Sequence, residues 1–196
     1  YMKILFLAYR DWSIKVYPSV KKHPKVIVCN LVKSKRELLN YNLSDYNLLV
    51  TCGWSEELGK EITEKISTIG VHCAELDRYS YGTPLQLQII DGIAFTKHRI
   101  FSFTSDERSK RAHTHNRLFS HEVPLDLSGN MEDILIQMTA TSISLFNMYL
   151  NDYPNIKWKE WESEDLIREK RKPEDSRLNK KQFIEMNTEE LYNFIR

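Results

Sequence analysis

Cysteine, glycine and proline are all scarce in this 196-residue chain, with three, six and six of each. The three cysteines, Cys29, Cys52 and Cys73, are odd in number and never spaced Cys-x-x-Cys, which argues against a disulfide framework and against a zinc site. No metal is expected. No apolar run approaches the ~20 residues that span a bilayer. The opening stretch from Met2 has no small-residue cleavage site of a secretory signal. A surplus of either charge is missing too. The formal net charge is +1, so whole-molecule electrostatics favours neither nucleic acid nor an anionic membrane as a partner. A reducing, cytoplasmic setting is the default expectation.

What remains is ordinary globular material. Hydrophobic residues make up 41% and charged residues 28%, enough apolar surface for one compact domain with a real core. Residues 4–8, 26–29 and 48–51 are short continuous apolar runs, as expected of strands buried on both faces. Between them, Ser34 can cap a short helix over residues 34–39, and residues 55–66 read as another, with Leu58, Ile62 and Ile66 on one face. Residues 68–72 return as a strand with Gly70 and His72 near its carboxyl end, where open α/β sheets bind ligands. Residues 84–90 fit a helix that opens on Pro84 and ends at Asp91-Gly92. Residues 99–104 and 117–125 read as strands joined by a long polar loop, a candidate site element. Residues 130–150 give the clearest helix, capped by Asn130, with a core stripe through Met131, Ile134, Leu135, Met138, Ser142, Leu145 and Tyr149.

Several short motifs, in order along residues 2–196, resemble the folate-dependent formyltransferase family. His72, Leu76, Tyr79 and Pro84 fall in the register of the family's His-Pro-Ser-Leu-Leu-Pro-x-Tyr-Arg-Gly-x-x-Pro signature, and Ile89, Ile90, Asp91 and Gly92 continue it. Residues 121–125 resemble the strand after the family's catalytic loop. Residues 171–176 and 191–196 resemble its closing segments, and Cys52-Gly53-Trp54 is similar to a folate-pocket loop. The resemblance implies a Rossmann-like, doubly wound, mostly parallel α/β sheet. It implies a single catalytic domain over residues 2–150, with a truncated C-terminal helical extension over residues 151–196. It further implies an N-formyltransferase that moves a formyl group from 10-formyltetrahydrofolate to an amine. The implied acceptor is a nucleotide-linked amino sugar, because the chain stops where the catalytic domain would end and carries no basic footprint for tRNA. The family's sugar enzymes often dimerise through segments beyond residue 196, so the resemblance leaves a homodimer open.

The chemistry needs a donor near the developing oxyanion, worth ~3–4 kcal/mol when preorganised, and a base for the amine proton, worth ~100- to 10,000-fold. Resemblance gives the histidine role to His72. The bland alternative is a hydrogen-bonded histidine at a strand end. The family's asparagine falls at Gly70, which has no side chain to offer. Its aspartate falls at His113 by counting back from residues 122–125, while counting forward reaches Arg108, so Asp106, Glu107, His113 and His115 all stay open. His72, His113 and Asp106 are thus the catalytic candidates. Cys52, Gly53, Trp54 and Gly70 are the folate-binding candidates, and Arg78, Tyr79 and His115 the substrate-binding ones. Arg78 and Tyr79 either contact a phosphate or base, or form an exposed loop pair. Cys73 follows His72 in a strand, so the two side chains point to opposite faces and make a poor nucleophile pair. Trp158 and Trp161, near Lys157 and Lys159, read as a packed edge before a nucleotide platform. Two other functions remain open because of Gly70: a repurposed acyltransferase or hydrolase, and a catalytically inactive folate- or nucleotide-binding module.

Overall fold

The computed structural model describes residues 1–75, 77–79, 83–103, 118–161 and 168–196. Seven strands are present among them: β1 (Met2–Leu7), β2 (Val26–Val32), β3 (Leu48–Thr51), β4 (Thr68–His72), β5 (Phe95–Ser102), β6 (Leu118–Asp126) and β7 (Lys159–Glu160). They form one sheet in the order β2-β1-β3-β4-β5-β6-β7. The first four are mutually parallel, and β5, β6 and β7 each run antiparallel to the preceding neighbour. Strand β6 therefore rejoins the direction of the first four, and the sheet is mostly parallel.

Both faces of the sheet are covered, as continuous apolar strands require. Alternate residues of β1 go to opposite sides. Met2, Ile4 and Phe6 join Leu48, Val50 and the long helix α6 (Met131–Asp152) through Leu145, Phe146 and Tyr149. Leu5 and Leu7 meet Leu38 of α3 (Lys35–Leu38) and Ile62 of α4 (Lys60–Thr63), with Leu58 and Ile66 beside them. The chain leaves β1 for β2 on one side and returns to β3 on the other. That reversal makes the carboxyl ends of β1 and β3 the topological switch point, the usual ligand crevice of such sheets.

Two elements differ from the sequence reading. Helix α4 covers only Lys60–Thr63, because Gly59 is extended (φ −67°, ψ 168°) and the Ser55 amide donates to the Tyr9 hydroxyl at 3.2 Å. The apolar spacing of Leu58, Ile62 and Ile66 still buries all three residues without a full helix. Strand β5 starts at Phe95, before residue 99, since it pairs with β4 and β6 at once. Sequence-local signals carry no trace of that double pairing. The short helices α1 (Asp11–Ile14) and α2 (Tyr17–Lys21), which close the β1–β2 crossover, were not anticipated either.

Helix α5 (Pro84–Ile90) and the Asn130 cap of α6 follow the sequence reading. Asn130 Oδ1 accepts from the Asp133 amide, and Asp133 Oδ2 accepts from the Asn130 amide, each at 3.0 Å. Two otherwise orphaned donors are thus satisfied. Beyond α7 (Lys180–Glu185), helix α8 (Thr188–Ile195) packs on α5, and the Arg196 guanidinium donates to the carbonyls of Leu127 and Gly129. No helix among the described residues is long and apolar enough to cross a membrane. Asn130→Ala should cost about 1 kcal/mol of unfolding free energy, measured as a lower urea midpoint with unchanged slope.

Candidate active site

Three adjacent strands deliver the candidate residues to one end of the sheet. Cys52, Gly53 and Trp54 follow β3, Tyr9 and Arg10 follow β1, and His72 closes β4. Gly53 has φ +59°, and a Cβ there would meet Trp12 Cζ2 at 2.9 Å, so only glycine fits the turn. Its carbonyl accepts from Arg10 Nε at 3.1 Å, and Arg10 Nη2 donates to Ser55 Oγ at 2.9 Å. The Trp54 ring stands edge-on to Tyr9 at 5.2 Å. Trp54 Nε1 is buried with no hydrogen-bond partner among the described residues. Tyr9 and Arg10 were not foreseen. Their only sequence signal is position, immediately after the first buried strand.

His72 is 6% exposed and bordered by aromatic rings, with Trp161 edge-on at 5.5 Å and Phe101 at 6.4 Å. Its Nε2 lies 3.1 Å from the Tyr79 carbonyl, which can only accept, so the proton resides on Nε2 and Nδ1 carries the lone pair. Burial pushes the His72 pKa down to about 4, helped by His98 and Arg99 and opposed by the Tyr79 hydrogen bond. At neutral pH the ring is uncharged.

Gly70 explains much of this environment. Strand β5 pairs Phe101 opposite Gly70 and Arg99 opposite His72. A Cβ on Gly70 would stand 2.7 and 2.8 Å from the Phe101 ring and collide with Thr51 Oγ1. The space that an asparagine side chain would need is occupied by phenylalanine. Phe101, Phe119 and Trp161 form a buried aromatic cluster, with Phe103 packed against it.

Arg99 is the buried cation of this face. Its guanidinium lies 4.1 Å from the Phe119 ring centroid and 5.1 Å from that of Trp161. Its Nε donates to Glu122 Oε2 at 2.8 Å and its Nη1 to the Glu75 carbonyl at 3.1 Å. Trp161 Nε1 donates to the same carbonyl at 2.7 Å, and Lys97 bridges Glu122 and Glu75 at 3.2 and 3.3 Å. Burial works against the Glu122 carboxylate, yet the hydrogen bonds from Lys97 and Arg99 prevail and hold its pKa below the usual range. Trp161 thus has a packing and anchoring role, in line with the bland expectation for that segment.

The other candidates separate into three groups. Cys52 and Cys73 are buried thiols pushed up to about 12, which removes either as a nucleophile near neutral pH. Cys52 is fully enclosed, backbone included. Tyr79 is 1% exposed with its hydroxyl on Asp91 at 2.9 Å, so its ring faces the interior and not a substrate base. Arg78 is half-buried, and its carbonyl accepts from the Arg168 amide at 2.8 Å. Asp106, His113 and His115 lie outside the described residues.

No family model matches the sequence, and no curated protein does so either. Solved structures do match. Methionyl-tRNA formyltransferase from Clostridium thermocellum superposes with TM-score 0.78 at 24% identity, over 100% of this chain and 82% of that one. HypX from Aquifex aeolicus in complex with tetrahydrofolic acid gives 0.70 at 15%, over 99% of this chain and 34% of that one. A sugar N-formyltransferase from a Shewanella species gives 0.67 at 12%, over 99% and 87%. The chain has the formyltransferase fold, as the sequence resemblance implies.

Two outcomes test this geometry. Gly70→Asn should destabilise by about 1–3 kcal/mol through overpacking, and the penalty should shrink in a Phe101→Ala background, read by a double-mutant cycle of urea midpoints. His98, fully buried, is pushed down to about 3 by burial, and its Nδ1 shares a hydrogen bond with Thr141 Oγ1 at 2.7 Å. His72 and His98 are neutral when folded and titrate near 6.5 when unfolded. Their contribution is therefore complete above about pH 6.5 and lost as pH falls toward 4 and 3, by roughly 1 kcal/mol per pH unit for each ring. Unfolding midpoints measured from pH 7 to 4 should fall accordingly, and less steeply in His98→Asn.

Proposed function

We propose that this protein is an N-formyltransferase that takes its formyl group from 10-formyltetrahydrofolate and delivers it to the amine of a nucleotide-linked amino sugar. One observation carries the reading: on a formyltransferase fold, His72 ends the strand beside the switch point as a neutral ring with its proton fixed on Nε2. A neutral imidazole with its lone pair on Nδ1 can accept the proton that leaves the amine as the new carbon–nitrogen bond forms. The old bond from the formyl carbon to the folate nitrogen then breaks, and that nitrogen takes up the proton the ring had accepted, which returns the imidazole to its neutral form. The half-buried Tyr9–Trp54 aromatic pair supports a flat donor molecule at the carboxyl ends of β1 and β3. The near-neutral chain favours a sugar acceptor over tRNA, while its structural likenesses include both a methionyl-tRNA formyltransferase and sugar N-formyltransferases.

A second reading has its own observation. Phe101 fills the position of the family's asparagine, which removes the side-chain oxyanion donor and suits a module that binds folate or a nucleotide without turnover. One assay separates the two. Purified protein with 10-formyltetrahydrofolate and a panel of nucleotide-linked amino sugars should release tetrahydrofolate, and His72→Ala should slow that release by at least about 100-fold. Calorimetric folate binding with no release by folded protein across the panel would establish the binding module instead.

A further inference from the structure

We propose that Tyr79 and Asp91 are positioning residues for His72, a two-step support that fixes which ring nitrogen carries the proton. The proposal rests on the formyl-transfer reading for its kinetic consequence, but its geometry stands alone. The Asp91 carboxylate is the fixed end. Its backbone amide donates to the Leu87 carbonyl at 2.9 Å at the end of α5, and its Oδ1 lies 3.2 Å from Arg168 Nη2. The Tyr79 hydroxyl donates to Asp91 Oδ2 at 2.9 Å, and the Tyr79 ring packs with Ala74, Leu87 and Ile93. Burial and the hydrogen bond to Asp91 push that hydroxyl up to about 12, so it remains a donor.

Ring and hydroxyl together pin the short turn Asp77–Tyr79, and with it the carbonyl that accepts from His72 Nε2 at 3.1 Å. Cys73 and Glu75, before this turn, are also held by hydrogen bonds. The Glu75 amide donates to Thr96 Oγ1 at 3.0 Å, and Gln88 Nε2 donates to the Cys73 carbonyl at 2.8 Å. The Arg168 amide on the Arg78 carbonyl adds a strap from the C-terminal segment. A neutral imidazole exists as two tautomers, and the hydrogen bond made by one nitrogen decides the state of the other. Loosening Tyr79 releases that choice and halts proton acceptance in the fraction of molecules with the proton on Nδ1.

The test uses full-length protein with 15N-labelled histidine and long-range proton–nitrogen correlation spectra, the His72 signals being assigned by their loss in His72→Gln. The wild type should show Nε2 protonated and Nδ1 without a proton. Tyr79→Phe should give a mixture of the two forms, and Asp91→Asn, which keeps an acceptor for the hydroxyl, a smaller change in the same direction. In the formylation assay kcat should fall about ten-fold or more in Tyr79→Phe with KM unchanged, a part of the ~100- to 10,000-fold that a placed acid–base group supplies. A Tyr79→Phe protein that melts lower yet keeps the pure Nε2–H signature and full kcat would reduce Tyr79 to packing and overturn the proposal. A wild-type ring protonated on Nδ1 would overturn it directly. If the wild type transfers no formyl group, the spectra alone decide the support, and only the functional reading falls.

Discussion

Strands β4 and β5 pair so that Gly70 lies opposite Phe101 and His72 opposite Arg99. Residues directly opposite in an antiparallel pair share a face, so this one register sets what surrounds the candidate catalytic ring. A side chain at position 70 would force Phe101 out. Glycine admits it, and the phenyl ring joins Phe119 and Trp161 in a buried aromatic cluster. The low pKa of His72 follows, because burial among aromatic rings disfavours the charged imidazole more than the Tyr79 hydrogen bond favours it. A missing side chain and a lowered pKa are two ends of one packing decision.

The same face holds a charged group, and the fold treats it oppositely. Arg99 cannot neutralise as histidine does, since guanidinium keeps its proton in proteins. It is enclosed by hydrogen bonds to Glu122 and the Glu75 carbonyl and lies against two aromatic rings. An unpaired charge at that depth would cost several kcal/mol. Full pairing turns the cost into a fastening: through Glu75, the arginine holds the start of the segment that Tyr79 closes on His72. One end of this segment is fixed by ions and the other by a carbonyl against a neutral ring.

Much of this was legible in the sequence, and the boundary has a physical cause. The strands at Leu48–Thr51 and Thr68–His72, the helix Pro84–Ile90 and the Asn130 cap were all readable, because each is written in neighbours a few residues apart. The placement of His72 at a strand end came from the same local pattern, and Gly70 was visible as a departure. That Phe101 would occupy the space at Gly70 was not, because the two residues are brought together only by the pairing of β4 with β5. Likewise Asp91 read as the end of a helix. Its role as the acceptor for a tyrosine twelve residues earlier emerges only when α5 folds back over the turn.

If the proposed formyl transfer is this site's chemistry, the oxyanion sets its remaining demand. Formyl transfer builds negative charge on one oxygen, and position 70 contributes no side-chain donor. Net charge cannot replace it here: Arg99 and Lys97 are matched by Glu75 and Glu122, two cations against two carboxylates. What such a face can still offer is oriented dipoles, which in a desolvated site stabilise a developing charge without themselves being charged. Backbone amides and the ring N–H groups of aromatic and histidine side chains are donors of that kind, and their strength depends on being held still. The fold's investment in anchoring Glu75, Tyr79 and Asp91 is therefore consistent with a site that works by the placement of neutral donors and acceptors, with charge confined to the scaffold around them.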